Sequence, residues 1–205
     1  MFAPGASRYL GAGLTALLVL AVLIALIAWW PLWILVAALV AAWIFFAVFL
    51  RDPDRAAGEG IVSAADGRVR EVVRDGARWR ISVFMNVTNV HVNRFPLAGR
   101  VESITTSGEG FRPAYRVDAL HNLQRSYRIA TAIGPVEVVQ MTGIVARRLV
   151  SLVEIGDEGA KGSRLGMIVL GSRVDVLVPA DRAEPAVSVG AAVHAGASTI
   201  ARVIG

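Results

Sequence analysis

Cysteine is absent from the 205 residues, and lysine occurs once, at Lys161. The first absence excludes a disulfide framework, a thiolate nucleophile and a cysteine-ligated metal. The second leaves little room for amine chemistry. Pyridoxal phosphate needs a lysine Schiff base, and a lipoyl or biotinyl carrier needs a modified lysine at a hairpin tip. Lys161, between Ala160 and Gly162, is the single candidate for either, and a lysine in a turn is ordinarily just solvated. Charge is scarce as well. Charged residues make up 18% of the chain and hydrophobic ones 55%, whereas an ordinary soluble domain carries about 25% charge. A wholly soluble chain is therefore the first reading to drop. Walker and dinucleotide fingerprints are missing. His91, His121 and His194 are widely separated, with no second histidine three or four positions on, so no metal site is expected.

The charges that are present lean basic, 21 Lys+Arg against 16 Asp+Glu for a net charge of +5, and nearly all of the basic ones are arginine. Such a balance suits an anionic lipid surface. No aromatic-basic interleaving or docking motif points to nucleic acid, and none is expected as a partner.

From Tyr9 to Leu50 no residue is charged. This run is about twice the ~20 residues that one membrane span needs. Trp29, Trp30 and Pro31 interrupt it near the middle, where aromatic rings favour an interface and proline breaks a helix. The pattern predicts a two-helix transmembrane hairpin within residues 1–50, with helices at about 10–28 and 32–50. Arg8 precedes the hairpin, and Arg51 and Arg55 follow it. The positive-inside rule then places both ends, and the domain that follows, on the cytoplasmic side of the cell (inner) membrane. A cleaved signal peptide fits less well, because the apolar stretch is too long and no small-residue cleavage site precedes a polar start.

Residues 51–60 read as a polar linker, and 61–205 are enough for one compact domain. Short β-branched runs alternate there with glycine and proline: 67–73, 79–86, 100–106, 127–133, 136–141, 149–153, 167–170 and 173–178. Such spacing predicts a mainly β domain, while 143–148 is open to a brief helix or a loop. Two segments repeat a pattern of an apolar residue, glycine, five residues and glycine: Ile155-Gly156 to Lys161-Gly162, and Val189-Gly190 to Ala195-Gly196. Paired glycine turns of this kind build lipoyl-like barrel-sandwich hybrids. That fold alone assigns no function.

Three short stretches hold the polar groups of greatest chemical interest. Ser63-Ala64-Ala65-Asp66-Gly67 places a carboxylate in a turn. Val90-His91-Val92-Asn93-Arg94 places an imidazole in an extended run. Gly171-Ser172-Arg173-Val174-Asp175 interrupts two apolar strands with a hydroxyl. Each alone is an ordinary turn or strand feature. Together they supply an acid, a base and a nucleophile.

With Phe49-Leu50-Arg51-Asp52-Pro53 after the hairpin, and Val139-Gln140-Met141 through Ala146-Arg147-Arg148, these stretches give a chain that resembles the phosphatidylserine decarboxylase family over nearly its whole length. The likeness is to the short bacterial and archaeal branch with an N-terminal membrane hairpin. The long branch has a second histidine three positions after the first, and Arg94 stands at that place here.

The resemblance implies a proenzyme that cuts itself between Gly171 and Ser172 into a large chain, 1–171, and a small chain, 172–205, which stay associated. Ser172 would attack the preceding carbonyl and end as a covalent pyruvoyl group, the one cofactor implied. A serine hydroxyl wants a neighbouring base that is itself oriented by a third group. His91 would be that base, serving again as acid, and Asp66 its orienter. The pyruvoyl group would form a Schiff base with phosphatidylserine in the membrane and yield phosphatidylethanolamine and carbon dioxide. Arg94, Arg147, Arg148 and Arg173 are candidates for the substrate phosphate or carboxylate, since guanidinium suits planar anions. Further oligomerisation stays open. The alternative is a non-catalytic, membrane-anchored barrel-sandwich binding or adaptor module, which need not be cut.

Overall fold

The computed structural model describes residues 6–27, 30–110, 122–143, 148–169 and 172–205. The chain divides into two compact units, residues 1–54 and 55–205.

The first unit holds helices α1 (Ala6–Ile27) and α2 (Trp30–Phe49). Pro31 lies in the first turn of α2, where its missing N–H costs nothing. The helices pack against each other. The Trp43 indole N–H donates to the Leu10 carbonyl at 2.8 Å, and Gly13 makes room for that ring, since a Cβ there would lie 2.9 Å from Trp43 Cδ1. Both helices are long and apolar enough to cross a bilayer, and Leu18, Val22 and Ile34 point away from the protein.

The second unit is mainly β. Its strands are β1 (Ile61–Val62), β2 (Gly67–Asp75), β3 (Arg78–Met85), β4 (Val92–Arg94), β5 (Gly99–Ser107), β6 (Gln124–Thr131) and β7 (Gly134–Thr142). They continue as β8 (Arg148–Ser151), β9 (Glu158–Gly159), β10 (Arg164–Val169), β11 (Ser172–Pro179), β12 (Ala183–Pro185), β13 (Ala192–Val193) and β14 (Thr199–Val203). Eight strands form one curled, half-barrel sheet in the order β13-β2-β3-β11-β7-β6-β5-β9. Two three-stranded sheets accompany it, β1-β14-β12 and β4-β10-β8.

Each of the eight longer runs predicted from the sequence overlaps a strand, Leu170 at the end of one lying outside the described residues. Residues 144–147, in the stretch left open between helix and loop, lie outside the described residues, and Arg148 opens β8. The glycine repeat forms two turn pairs: Gly156, Gly162, Gly190 and Gly196 all have positive φ, between 77° and 99°, a conformation that a Cβ disfavours. Lys161, in the first of them, donates its Nζ to the Gly60 carbonyl at 3.4 Å. The segment before β1 is also bonded to the domain, through Gly58 N–H to the Gly196 carbonyl and Thr199 Oγ1 to the Glu59 carbonyl.

β11 is the inner strand on which the sheet is organised. It pairs antiparallel with β3 on one side and β7 on the other. Its alternate residues Val174, Val176 and Val178 are fully buried in a core shared with Ile81, Val83, Val136, Val138 and Ile129. Burying each of these valines contributes about 1.5–3 kcal/mol. The intervening residues Arg173 and Asp175 take the opposite face, as the two-residue period of a strand requires.

Candidate active site

One end of the eight-stranded sheet collects the stretches singled out above. Ser172 opens β11 in register with Met85, the last residue of β3, and with Thr142, the last of β7. Phe84 pairs with both Arg173 and Arg68, so the turn that precedes β2, with Asp66, lies at this same end. Gly171 lies outside the described residues, and Ser172 is described by its strand register. Met85 and Thr142 are fully buried, so the register neighbours of Ser172 are screened from water.

Behind Met85 runs a chain of buried polar side chains. Tyr127 donates its hydroxyl to Gln140 Oε1 at 3.2 Å, and Gln140 Nε2 donates to Asn93 Oδ1 at 2.7 Å. Asn93 Nδ2 in turn lies 3.7 Å from the Met85 sulfur. Gly166 lets the chain form, because a Cβ there would come within 2.9 Å of both Gln140 Nε2 and the Tyr127 hydroxyl. A buried amide left without its partner is costly. Gln140→Ala should therefore lower domain stability by about 2–3 kcal/mol, read as a fall in the denaturant midpoint of detergent-solubilised protein.

His91 is fully buried. Its Nδ1 lies 2.9 Å from the Asn89 carbonyl, and its own carbonyl accepts from Ile168 N–H. A carbonyl oxygen can only accept, so in the neutral ring the proton sits on Nδ1 and the lone pair on Nε2. That is the tautomer a general base needs.

Asp66 is placed differently from the sequence expectation. It was expected to orient His91, but the Asn89 carbonyl occupies His91 Nδ1. The Asp66 carboxylate faces Arg55, with Nη1 at 2.5 Å from Oδ1 and Nη2 at 2.9 Å from Oδ2. It also accepts from Ala195 N–H at 2.8 Å, and His194 Nδ1 lies 3.5 Å away. The physical reason is local: the turn ending in Gly67 directs the carboxylate toward β13 and the residues that follow it, with which β2 pairs.

Burial alone pushes the Asp66 carboxyl up, but the Arg55 hydrogen bonds, the Ala195 amide, the Arg55 charge and His194 outweigh it. They hold the carboxyl below its ordinary value. A depressed folded-state pKa contributes stability that is fully present above the unfolded value, about 3.9, and lost as pH falls through the lower folded one. Melting temperature followed from pH 6 to pH 2 should show this acid loss, and Asp66→Asn should remove its share of the slope.

The four arginine candidates fare differently. Arg94 is buried, and its Nη1 donates to the Gly162 carbonyl at 3.0 Å. Its backbone N–H holds the Ala64 carbonyl. Arg148 is exposed at the start of β8, in register with Val169, two residues before Gly171. Arg147 lies outside the described residues.

Arg173 is built into the sheet. Its Nε and Nη2 meet both Asp175 oxygens at 2.6 and 3.0 Å, and Nη2 also reaches Ser82 Oγ at 2.8 Å and Glu71 at 3.1 Å. Burial works to lower its pKa, but Asp175 and Glu71 outweigh that and raise it. The expectation of a substrate-facing Arg173 is corrected accordingly, because its guanidinium is spent on neighbours across the outer face of the strands.

Sequence reasoning missed three contributors. Arg55 was read only as a flanking charge, Asn89 as part of an extended run, and His194 only as a metal ligand to be discounted. Nothing in the spacing marked them: even Arg55 stands 11 positions from the Asp66 it meets.

Comparisons with known proteins bear on what this end of the sheet does. The family model described as "Phosphatidylserine decarboxylase" matches residues 43–201, which span the second unit almost to its end. The chain is 45% identical to the putative archaetidylserine decarboxylase proenzyme of Halobacterium salinarum over 174 residues, 83% of this chain and 86% of that one. It is 41% identical to the phosphatidylserine decarboxylase proenzyme of Streptomyces griseus over 157 residues, 75% and 72% of the two chains. The proenzyme of the same name from Oleidesulfovibrio alaskensis is 42% identical over 201 residues, covering 92% and 89%. These matches make the chain an enzyme, a decarboxylase. The chain belongs to the phosphatidylserine decarboxylase family.

Proposed function

We propose that this chain is a membrane-bound proenzyme that cuts itself between Gly171 and Ser172 and then decarboxylates the serine headgroup of phosphatidylserine. The observation that carries the reading is the start of β11 at Ser172, held between the buried Met85 and Thr142, at the sheet end to which the match with decarboxylase proenzymes extends.

In the first step the Ser172 hydroxyl attacks the Gly171 carbonyl carbon. The amide C–N bond breaks, an ester forms, and the Ser172 nitrogen becomes a free amine. His91 takes the hydroxyl proton through Nε2, with Asn89 fixing the ring. Loss of the Ser172 α-proton then expels the Gly171 carboxylate, and hydrolysis of the resulting enamine releases ammonia. A large chain, 1–171, and a small chain, 172–205, remain associated, with a pyruvoyl group at the new N-terminus.

The residues here fit such a group, since the register neighbours of Ser172 are buried and an amide chain lies behind them. When present, its carbonyl supplies the electron sink for loss of carbon dioxide. Arg148, exposed beside the end of β10, is the arginine we assign to the anionic headgroup. Arg173 instead braces the strand that starts at Ser172. The apolar helices hold the catalytic unit at the cytoplasmic face of the membrane, where the lipid is. The product is phosphatidylethanolamine.

Two measurements test this. Denaturing intact mass spectrometry of purified protein should give two chains meeting at Gly171 and Ser172. Carbon dioxide release from mixed micelles of phosphatidylserine, beside micelles of an archaetidylserine, should favour the former. An uncut chain without activity would return the domain to a binding role.

A further inference from the structure

Arg55 and Asp66 bind each other, and both also bind the backbone of one residue far along the chain. Arg55 Nη1 donates to the Ala195 carbonyl at 3.1 Å, and Ala195 N–H donates to Asp66 Oδ1 at 2.8 Å. The ion pair therefore grips Ala195 at its donor and its acceptor together, while His194 stands against Asp66 Oδ2. Arg55 and Asp66 are both well buried, with side-chain exposures of 16% and 4%, and Ala195 is fully buried. Around it, β13 pairs with β2 over Ala192 and Val193. Gly196 bonds the Ser63 carbonyl and the Gly58 N–H, and the Ser198 carbonyl accepts from Ser63 N–H. Ser198 also closes the turn on the His194 N–H and carbonyl. The side-chain grip on Ala195 comes from Arg55 and Asp66.

We infer that Arg55 is a positioning residue that acts through Asp66, the pair forming a two-point clamp that holds residues 192–198 to the start of β2 across the two chains that self-cleavage creates. The inference rests on the proposed cut at Gly171, because only then do the two sides of the clamp belong to different chains. Both partners contribute what the other needs. Arg55 neutralises a carboxylate that burial would otherwise disfavour, and Asp66 fixes the guanidinium plane so that its remaining N–H meets a carbonyl. Lysine in place of Arg55 would keep the charge and one donor; glutamine would keep neither the charge nor the fork.

The test uses the full chain in detergent micelles, with hydrogen exchange read by peptide mass spectrometry. Arg55→Gln and Arg55→Lys are each made in the cut wild-type protein and in an uncut Ser172→Ala background. In Arg55→Gln, exchange of the 192–198 peptide should rise about tenfold, the equivalent of losing one charge-assisted hydrogen bond. The rise should be larger in the cut protein, and peptides from β7 and β11 should not change. Arg55→Lys should recover most of the protection. Unchanged protection at 192–198 in Arg55→Gln, an equal rise across β7 and β11, or no recovery with lysine would each overturn the clamp. If the wild-type chain proves uncut, the processing reading fails and with it the inter-chain role, while the Ser172→Ala arm still decides whether Arg55 holds Ala195.

Discussion

Replacing Ser172 by alanine should leave a single uncut chain with no measurable decarboxylase activity. The expected loss is at least about 10⁴-fold, because removing the nucleophile of a group that acts as a unit removes nearly all of its effect. The fold should survive. Ser172 enters its ladder through backbone register with Met85 and Thr142, and alanine keeps every backbone donor and acceptor. Intact mass gives the direct reading: one species for the variant and two for the wild type. Stability measured alongside separates the outcomes, since a folded variant that still splits at the same bond would sink the serine mechanism.

His91→Ala should slow self-cleavage by about 10²–10⁴-fold, the usual worth of a positioned general base. The Asn89 carbonyl makes this expectation specific. It holds the Nδ1 proton and leaves Nε2 as the basic nitrogen, so His91→Gln, which has no such nitrogen, should be nearly as slow as alanine. The rate of precursor disappearance is the quantity to follow. A His91→Ala protein that processes at the wild-type rate would remove His91 as base.

The β domain was legible because its long strands carry a strong two-residue period. Val174, Val176 and Val178 announce the core face of β11 without help from any other segment. Strands of two to five residues, such as β1, β9, β13 and β14, offer too few positions for a period and exist because longer strands present partners to them. The same period could have placed Arg173 correctly: one residue from Val174, it takes the opposite face and finds Asp175 and Glu71 there. Guanidinium chemistry alone suggested an anion, and a protein carboxylate is one.

Asp66 shows the harder case. Which imidazole or guanidinium a carboxylate meets depends on Ala195, whose N–H closes a contact over 129 positions, and no local spacing encodes that. Asn93 and Gln140 lay within the stretches quoted from the sequence, yet amides do not titrate, so nothing marked them until their mutual bond was visible.

The place of β11 has a consequence for the order of events in making this enzyme. Residues 172–205 provide the inner strand of the large sheet, its β13 edge, and two of the three strands of the β1-β14-β12 sheet. Neither sheet is whole without them. A chain opened before it had folded would leave 34 residues to find two ladders by diffusion, against competing edge pairings of the larger piece with itself or its neighbours. The intact chain solves this by tethering. If the chain is cut as proposed, the bond at Gly171 would act first as a template for assembly and become dispensable once the ladders on both sides of β11 have closed.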